Sequence, residues 1–558
     1  MNRLWGQLTI GAVVVCSALV LRAQDQDKAK TETKVVVTAT PPAPPARPVE
    51  PDSITEGTVT VGGQAITYRA VAGTLTVGAT DVQDALMGLD GKLLPDTGEK
   101  PLDPAKPEED PATARMFYVA YFKTNAPTET RPVTFLYNGG PGSSTMWLHM
   151  GSFGPRRVVT TDTQHDPAAP YKIANNEFSL LDASDLVFID APGTGFSRIM
   201  GKDKEKAFWG TDQDAHAFER FIRRILTKFD RWNSPKYLFG ESYGTPRSAV
   251  LSAMLHNVDL NGIVLLSVTL SFDNWGDGPR WNPGIEQPYA LMLPTFAATA
   301  FYHHRLPQQP AALEPFLKTV EKFALGEYMS ALLEGSELGD ARKQAVAEKL
   351  HQYTGLPVAY LLKANLRVSG GAFSKTLQDD AGITTGRLDT RYQGPDYNRL
   401  SEEAEYDPQS NAVSAAYTTA INHYLRTELK YGENQTYKPT LYLEPDPAFA
   451  QWDQRHQSPG GPPAPATASG TNVIPDLATA MKSNPKMKVM LAGGYYDWAT
   501  PFFEGIYEMH HLPIPDNLQA NISYHYYESG HMVYVNEGVL KQFHDDVAAF
   551  IRSTAGAK

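Results

Sequence analysis

The sequence predicts an α/β protein built on a mostly parallel sheet and interrupted by a long, mainly helical insertion. Three observations predict it. Short apolar runs of strand length, such as residues 185–190 and 262–267, alternate with amphipathic stretches of helical period, the pattern of βαβ units. From about Asp273 that alternation stops, and helical stretches with frequent Pro, Trp and Tyr follow. It resumes at Lys488, so one sheet is assembled from both sides of the insertion.

At the N-terminus, Arg3 precedes an uncharged apolar run from Leu8 to Leu21. The run is shorter than the ~20 residues of a bilayer span and suits a signal peptide, residues 1–23, with Ala23 at the cleavage point. An uncleaved anchor is the alternative. Cleavage would remove Cys16, the one cysteine of the 558 residues, so export into an oxidising compartment would bring no disulfide. Residues 24–52 are polar and then Pro-rich, which reads as an extended linker.

The first part of the core is expected over 53–272. Alternating residues around Gly62 and Gly63 predict a hairpin. Residues 116–122, 133–137 and 185–190 are β-rich. Thr211 can cap a helix whose face is Phe218, Phe221, Ile222, Ile225 and Phe229. A strand near Tyr237, a helix from Tyr243 to Leu255 and a strand near Val264 follow. The insertion is expected over 273–457, with helices at 312–333 and 340–353 and no comparable strand before Lys488. Residues 458–470, rich in Pro and Gly, predict a flexible loop. Residues 471–558 complete the core with a helix near Leu477, strands near Lys488 and Tyr524, and a last helix presenting Leu540, Phe543, Val547 and Phe550.

Lys and Arg total 50 against 62 Asp and Glu, a formal charge of −12. That balance argues against broad electrostatic binding to nucleic acid or anionic membranes. One cysteine excludes zinc sites with two Cys ligands. The pairs His303-His304 and His510-His511 lack metal-site spacing, and Gly193-Thr194-Gly195 is too short for a dinucleotide fingerprint. No metal and no cofactor is expected.

The chemistry lies in Gly240-Glu241-Ser242-Tyr243-Gly244, a G-x-S-x-G between a strand and a helix, the context of a nucleophile elbow. A serine nucleophile needs a base, and the base an orienting acid. Asp497 follows one late strand and His531 the next, in the order Ser, Asp, His. Both suit loops at the carboxyl ends of parallel strands. An oxyanion hole needs two backbone N–H donors: Tyr243 follows the nucleophile, and the Gly-rich loop Asn138-Gly139-Gly140-Pro141-Gly142 follows a strand. The constellation therefore predicts an α/β-hydrolase with a large helical cap.

The segments Asn138-Gly-Gly-Pro-Gly-Ser-Ser144, Asp190-Ala-Pro-Gly-Thr-Gly-Phe-Ser197, Gly240-Glu-Ser-Tyr-Gly244 and Gly530-His-Met-Val533 together resemble the serine carboxypeptidase family. The resemblance runs from about Ser53 to the C-terminus and suggests a bacterial-type, disulfide-free member. It implies Ser242 as nucleophile, His531 as base, Asp497 as orienter, and Gly140 and Tyr243 as oxyanion donors. It further implies that Asn138, Gly139 and Glu241 bind the substrate's terminal carboxylate. Two carboxylates held together share a proton, which favours binding in acid. The chain departs from the family at Ser143, where a Cys is usual, and at Ser152, where a second Glu is usual. It departs again at Gly494-Tyr-Tyr-Asp497 and at Thr245-Pro-Arg247.

The expected protein is an exported, periplasmic or extracellular serine peptidase acting on peptides, without nucleic-acid partners and without stable membrane association after signal cleavage. The same triad would also serve an esterase or acyltransferase, and a non-catalytic binding protein is the remaining reading.

Overall fold

A computed structural model describes residues 50–95, 97–98, 108–276, 283–441, 451–460 and 471–556. The expected signal peptide, nearly all of the linker and most of the loop at 458–470 lie outside them.

The chain opens with a long hairpin, β1 (Ser53–Val61) and β2 (Gln64–Gly78), turning at Gly62 and Gly63. Next come β3 (Thr113–Lys123), β4 (Val133–Tyr137), β5 (Asp185–Ile189), β6 (Lys236–Glu241), β7 (Gly262–Leu266), β8 (Lys488–Gly494) and β9 (Ile522–Tyr527). They form one sheet in the order β1-β2-β3-β5-β4-β6-β7-β8-β9, with Arg198–Met200 paired to β3. The first three strands and the β3–β5 pair are antiparallel. From β5 to β9 every pairing is parallel. The predicted α/β-hydrolase class is borne out.

The core strands are buried on both faces, as parallel sheets are. Along β3, Phe117, Val119 and Tyr121 enter one apolar cluster, and Met116, Tyr118 and Ala120 the other. Helix α1 (Thr211–Lys228) covers the second face with Phe218, Phe221, Ile222 and Ile225, all buried. Each such side chain contributes about 1.5–3 kcal/mol by burial. Helix α2 (Gly244–Met254) lies on the same face. Thr211 is the first residue of α1 rather than its cap, a role that falls to Gly210. The Thr211 hydroxyl instead meets that of Thr471 at 3.1 Å.

Helices Gln287–Tyr302, Leu313–Phe323 and Asp340–Thr354 build a third cluster, into which Tyr496 and Trp498 are packed. Helix Pro408–Thr427 instead shares the first cluster with the sheet, beside the last helix, Glu537–Ala555. Two three-residue strands, Ile383–Thr385 and Gln393–Pro395, pair within the stretch expected to lack strands. They are too short to show as a hydrophobic run.

Candidate active site

The end of β6 turns directly into α2, and Ser242 lies between them with φ at +58°. That left-handed conformation is strained for a serine and is held by its surroundings. The Ser242 N–H donates to the carbonyl of Leu266 at 2.9 Å, and both the N–H and the hydroxyl of Thr245 donate to the carbonyl of Ser242 at 2.8 Å. The turn is so tight that a Cβ on Gly240 would lie 2.0 Å from the carbonyl oxygen of Gly244. One departure from the family pattern thus has a function here, since Thr245 fastens the elbow.

Asp497 follows β8 and His531 follows β9. The Nδ1 of His531 lies 2.7 Å from Oδ2 of Asp497. Thr500 holds that carboxylate from the other side, its hydroxyl donating to Oδ2 at 2.6 Å and its N–H to Oδ1 at 3.1 Å. The backbone of His531 is fixed too. Its N–H donates to the carbonyl of Leu388 at 2.6 Å, and its own carbonyl accepts from the Ser267 hydroxyl at 2.7 Å. Burial opposes the imidazolium, but the adjacent Asp497 carboxylate outweighs it and raises the His531 pKa; Glu241 adds to this and Arg387 subtracts.

The Gly-rich loop leaves β4 and runs against the start of α2. A Cβ on Gly139 would come within 2.2 Å of the Tyr243 nitrogen. Gly140 follows with φ at +113°. The backbone of this loop and the N–H of Tyr243 are therefore neighbours, as an oxyanion hole requires. The Tyr243 ring is buried, edge-on to Trp452 with centroids 5.3 Å apart.

Glu241, immediately before the serine, is 3% exposed. Burial pushes its pKa up to about 7, against the lowering effects of His531, Tyr534 and Asn138. The Tyr534 hydroxyl donates to its two oxygens at 3.1 and 2.9 Å. Asn138 accepts from the N–H of Leu148 through Oδ1 at 3.0 Å, and its side chain is close enough to Glu241 to favour the ionised carboxylate. Ser152, one of the departures from the family pattern, is fully buried and spends its hydroxyl on the carbonyl of Leu148 at 2.7 Å.

The structure thus brings Asp497 to His531, the loop at Gly139 to Tyr243, and Asn138 to Glu241. It adds three residues that the sequence reading did not single out as functional. Thr500 and Tyr534 each lie three residues beyond a candidate site residue, a spacing that carries no signal of its own. Arg247 was visible only as a departure from a family pattern.

The serine carboxypeptidase family model matches residues 107–260. The pheromone-processing carboxypeptidase KEX1 of Yarrowia lipolytica is 31% identical over 141 residues, 24% of this chain and 21% of that protein. Serine carboxypeptidase-like 36 of Arabidopsis thaliana is 28% identical over 169 residues, 28% of this chain and 32% of the relative. The retinoid-inducible serine carboxypeptidase of Rattus norvegicus is 30% identical over 177 residues, 30% and 34% of the two chains. The aligned stretches thus span about a fifth to a third of these relatives. The crystal structure of KEX1(delta)p from Saccharomyces cerevisiae aligns over 86% of this chain and 91% of its own, at 13% identity and a TM-score of 0.48.

Proposed function

We propose that this chain, whose residues 107–260 match the serine carboxypeptidase family model, is a member of that family and an exported serine peptidase that releases C-terminal residues from peptides. The observation that carries the reading is the 2.7 Å contact of His531 with Asp497, at neighbouring strand ends of the sheet that also carries the strained serine. With Nδ1 committed to Asp497, Nε2 is the nitrogen that takes the proton of Ser242. The serine oxygen attacks the scissile carbonyl. The oxyanion forms against the backbone N–H groups of Gly140 and Tyr243, and the imidazolium returns its proton to the leaving amine. Water then repeats the sequence on the acyl-enzyme and frees the acid.

Recognition of the free C-terminus falls to Asn138, Gly139 and Glu241. The carboxyl of Glu241 can donate a hydrogen bond to a substrate carboxylate only while protonated, and its pKa near 7 makes that form available in mild acid.

Three measurements test the proposal. Ser242→Ala is expected to lower turnover on an N-blocked peptide by about 10⁶-fold, as loss of a triad serine does; retained hydrolysis would refute the assignment. The same peptide with a C-terminal amide is expected to react far more slowly. Equal rates would move the reading to an esterase or acyltransferase on the same triad. For export, N-terminal sequencing of the mature protein is expected to begin after Ala23.

A further inference from the structure

Glu241 has an unusual neighbour. Tyr534 lies on the short helical turn Val533–Val535, directly beyond His531, and is buried. Its hydroxyl donates to both carboxylate oxygens of Glu241. Its ring packs over Gly151, where a Cβ would come within 2.7 Å of it. Gly151 adjoins Ser152, whose hydroxyl is turned to the carbonyl of Leu148 and makes no bond to Glu241. The phenol of Tyr534 is therefore hydrogen-bonded to Glu241, and the Ser152 hydroxyl is not.

We propose that Tyr534 is the positioning residue that tunes the carboxylate subsite: its phenol donates to Glu241, and Glu241 alone supplies the single proton needed to hold a substrate carboxylate. The proposal rests on the reading of Glu241 as a carboxylate-binding residue.

The groups that face Glu241 are few. His531, Asp497 and Asn138 act on it at close range, Tyr534 hydrogen-bonds to it, and the Tyr417 hydroxyl lies within its field. Burial holds both Tyr534 and Tyr417 well above the ordinary tyrosine range, so neither loses its proton near neutrality. Of the acids, Asp497 is committed to His531 and Thr500. That leaves Glu241 as the acid whose proton is exchanged with the substrate. When it is protonated, its O–H donates to the incoming carboxylate, and its other oxygen accepts from Tyr534. When it is ionised, two negative charges would meet in a buried site and binding is lost. Because Tyr534 donates to Glu241, it stabilises the ionised form and sets the pH at which that loss begins.

The test compares an N-blocked dipeptide with a free C-terminus against its C-terminal amide, as the ratio of kcat/KM from pH 5 to 9. Titration of the triad cancels in that ratio. In the wild-type enzyme the ratio is expected to fall about tenfold per pH unit above the break, the slope of one proton. Tyr534→Phe removes a donor to the carboxylate and is expected to move the break upward by about one pH unit. Glu241→Gln is expected to abolish the break. A two-proton slope, or an unmoved break in a folded Tyr534→Phe enzyme, overturns the assignment of Tyr534. An enzyme that never prefers the free acid overturns the carboxylate reading itself. Should Tyr534→Phe fail to fold, the wild-type slope still decides between one acid and two.

Discussion

Arg247 donates from its guanidinium to the main-chain carbonyl of Asn138 at 2.8 Å, joining the elbow helix to the Gly-rich loop. The same guanidinium bonds both oxygens of Asp214 at 2.6 and 3.2 Å and lies 4.3 Å from the centroid of the Phe218 ring. Arg and Asp side chains are both essentially solvent-free. Because the carbonyl of Asn138 and the N–H of Gly139 belong to one peptide plane, the bond fixes how the loop approaches Tyr243.

Arg247→Met is expected to reduce stability by about 3–5 kcal/mol, because it leaves Asp214 buried without a partner. Adding Asp214→Leu should recover much of that stability but not the loop's position. The double variant is therefore expected to unfold near the wild-type denaturant midpoint while kcat stays about 10²-fold low, the scale of a displaced catalytic group. A stable double variant with full kcat would show that Arg247 only packs.

Asp497→Asn is expected to lower kcat by about 10⁴-fold, as loss of the orienting acid does in comparable triads. Asp497 raises the pKa of His531. The base must be neutral to act, so removing the acid should shift the acidic limb of kcat to lower pH. Thr500→Val, which removes one hydrogen bond to the carboxylate, should cost about tenfold. A pH–rate series on the three enzymes checks both expectations.

Gly139→Ala drives a methyl group into the Tyr243 nitrogen, a backbone atom that cannot step aside without moving α2. The loop must retreat instead. Loss of one oxyanion donor slows turnover by about 10²–10³-fold, and that loss is expected in kcat more than in KM.

A fourth expectation concerns stability. Burial disfavours a charged His456, but Asp212 at 2.6 Å and Asp476 at 2.8 Å outweigh it and raise its pKa to about 9. A histidine whose pKa is raised on folding stabilises fully below its unfolded value of about 6.5, and the gain is lost as pH rises through 9. Burial keeps the Asp476 carboxyl above its usual range in spite of the imidazolium, which offsets part of the gain. The difference in unfolding free energy between wild type and His456→Gln is therefore expected to be about 1–2 kcal/mol at pH 6. It should shrink toward pH 9, as denaturant titrations at the two pH values would reveal.

Much of the architecture is legible in local pattern. The strands from 116 to 266 read as apolar runs because their residues are buried on both faces, and a run needs no partner to be seen. Helix Thr211–Lys228 shows through its period. The elbow reads as a motif because its strained turn demands glycine at a fixed distance from Ser242. Less was visible where the signal is short or long-range. The strands at Ile383 and Gln393 span three residues each, and Thr211 has the residue type of a cap but stands one position inside the helix.

By itself, then, the sequence determined the alternation of strands and helices, the elbow at Ser242, and the order in which Asp497 and His531 follow it. Backbone conformation and burial are local demands, and residues written side by side can meet them. Only the tertiary structure decided which groups share a hydrogen bond across the chain. Arg247 meets the carbonyl of Asn138 across 109 positions, and Tyr534 meets Glu241 across 293. No spacing rule covers such distances: parallel strands bring remote segments to one edge of the sheet, and the partners are chosen there by geometry alone.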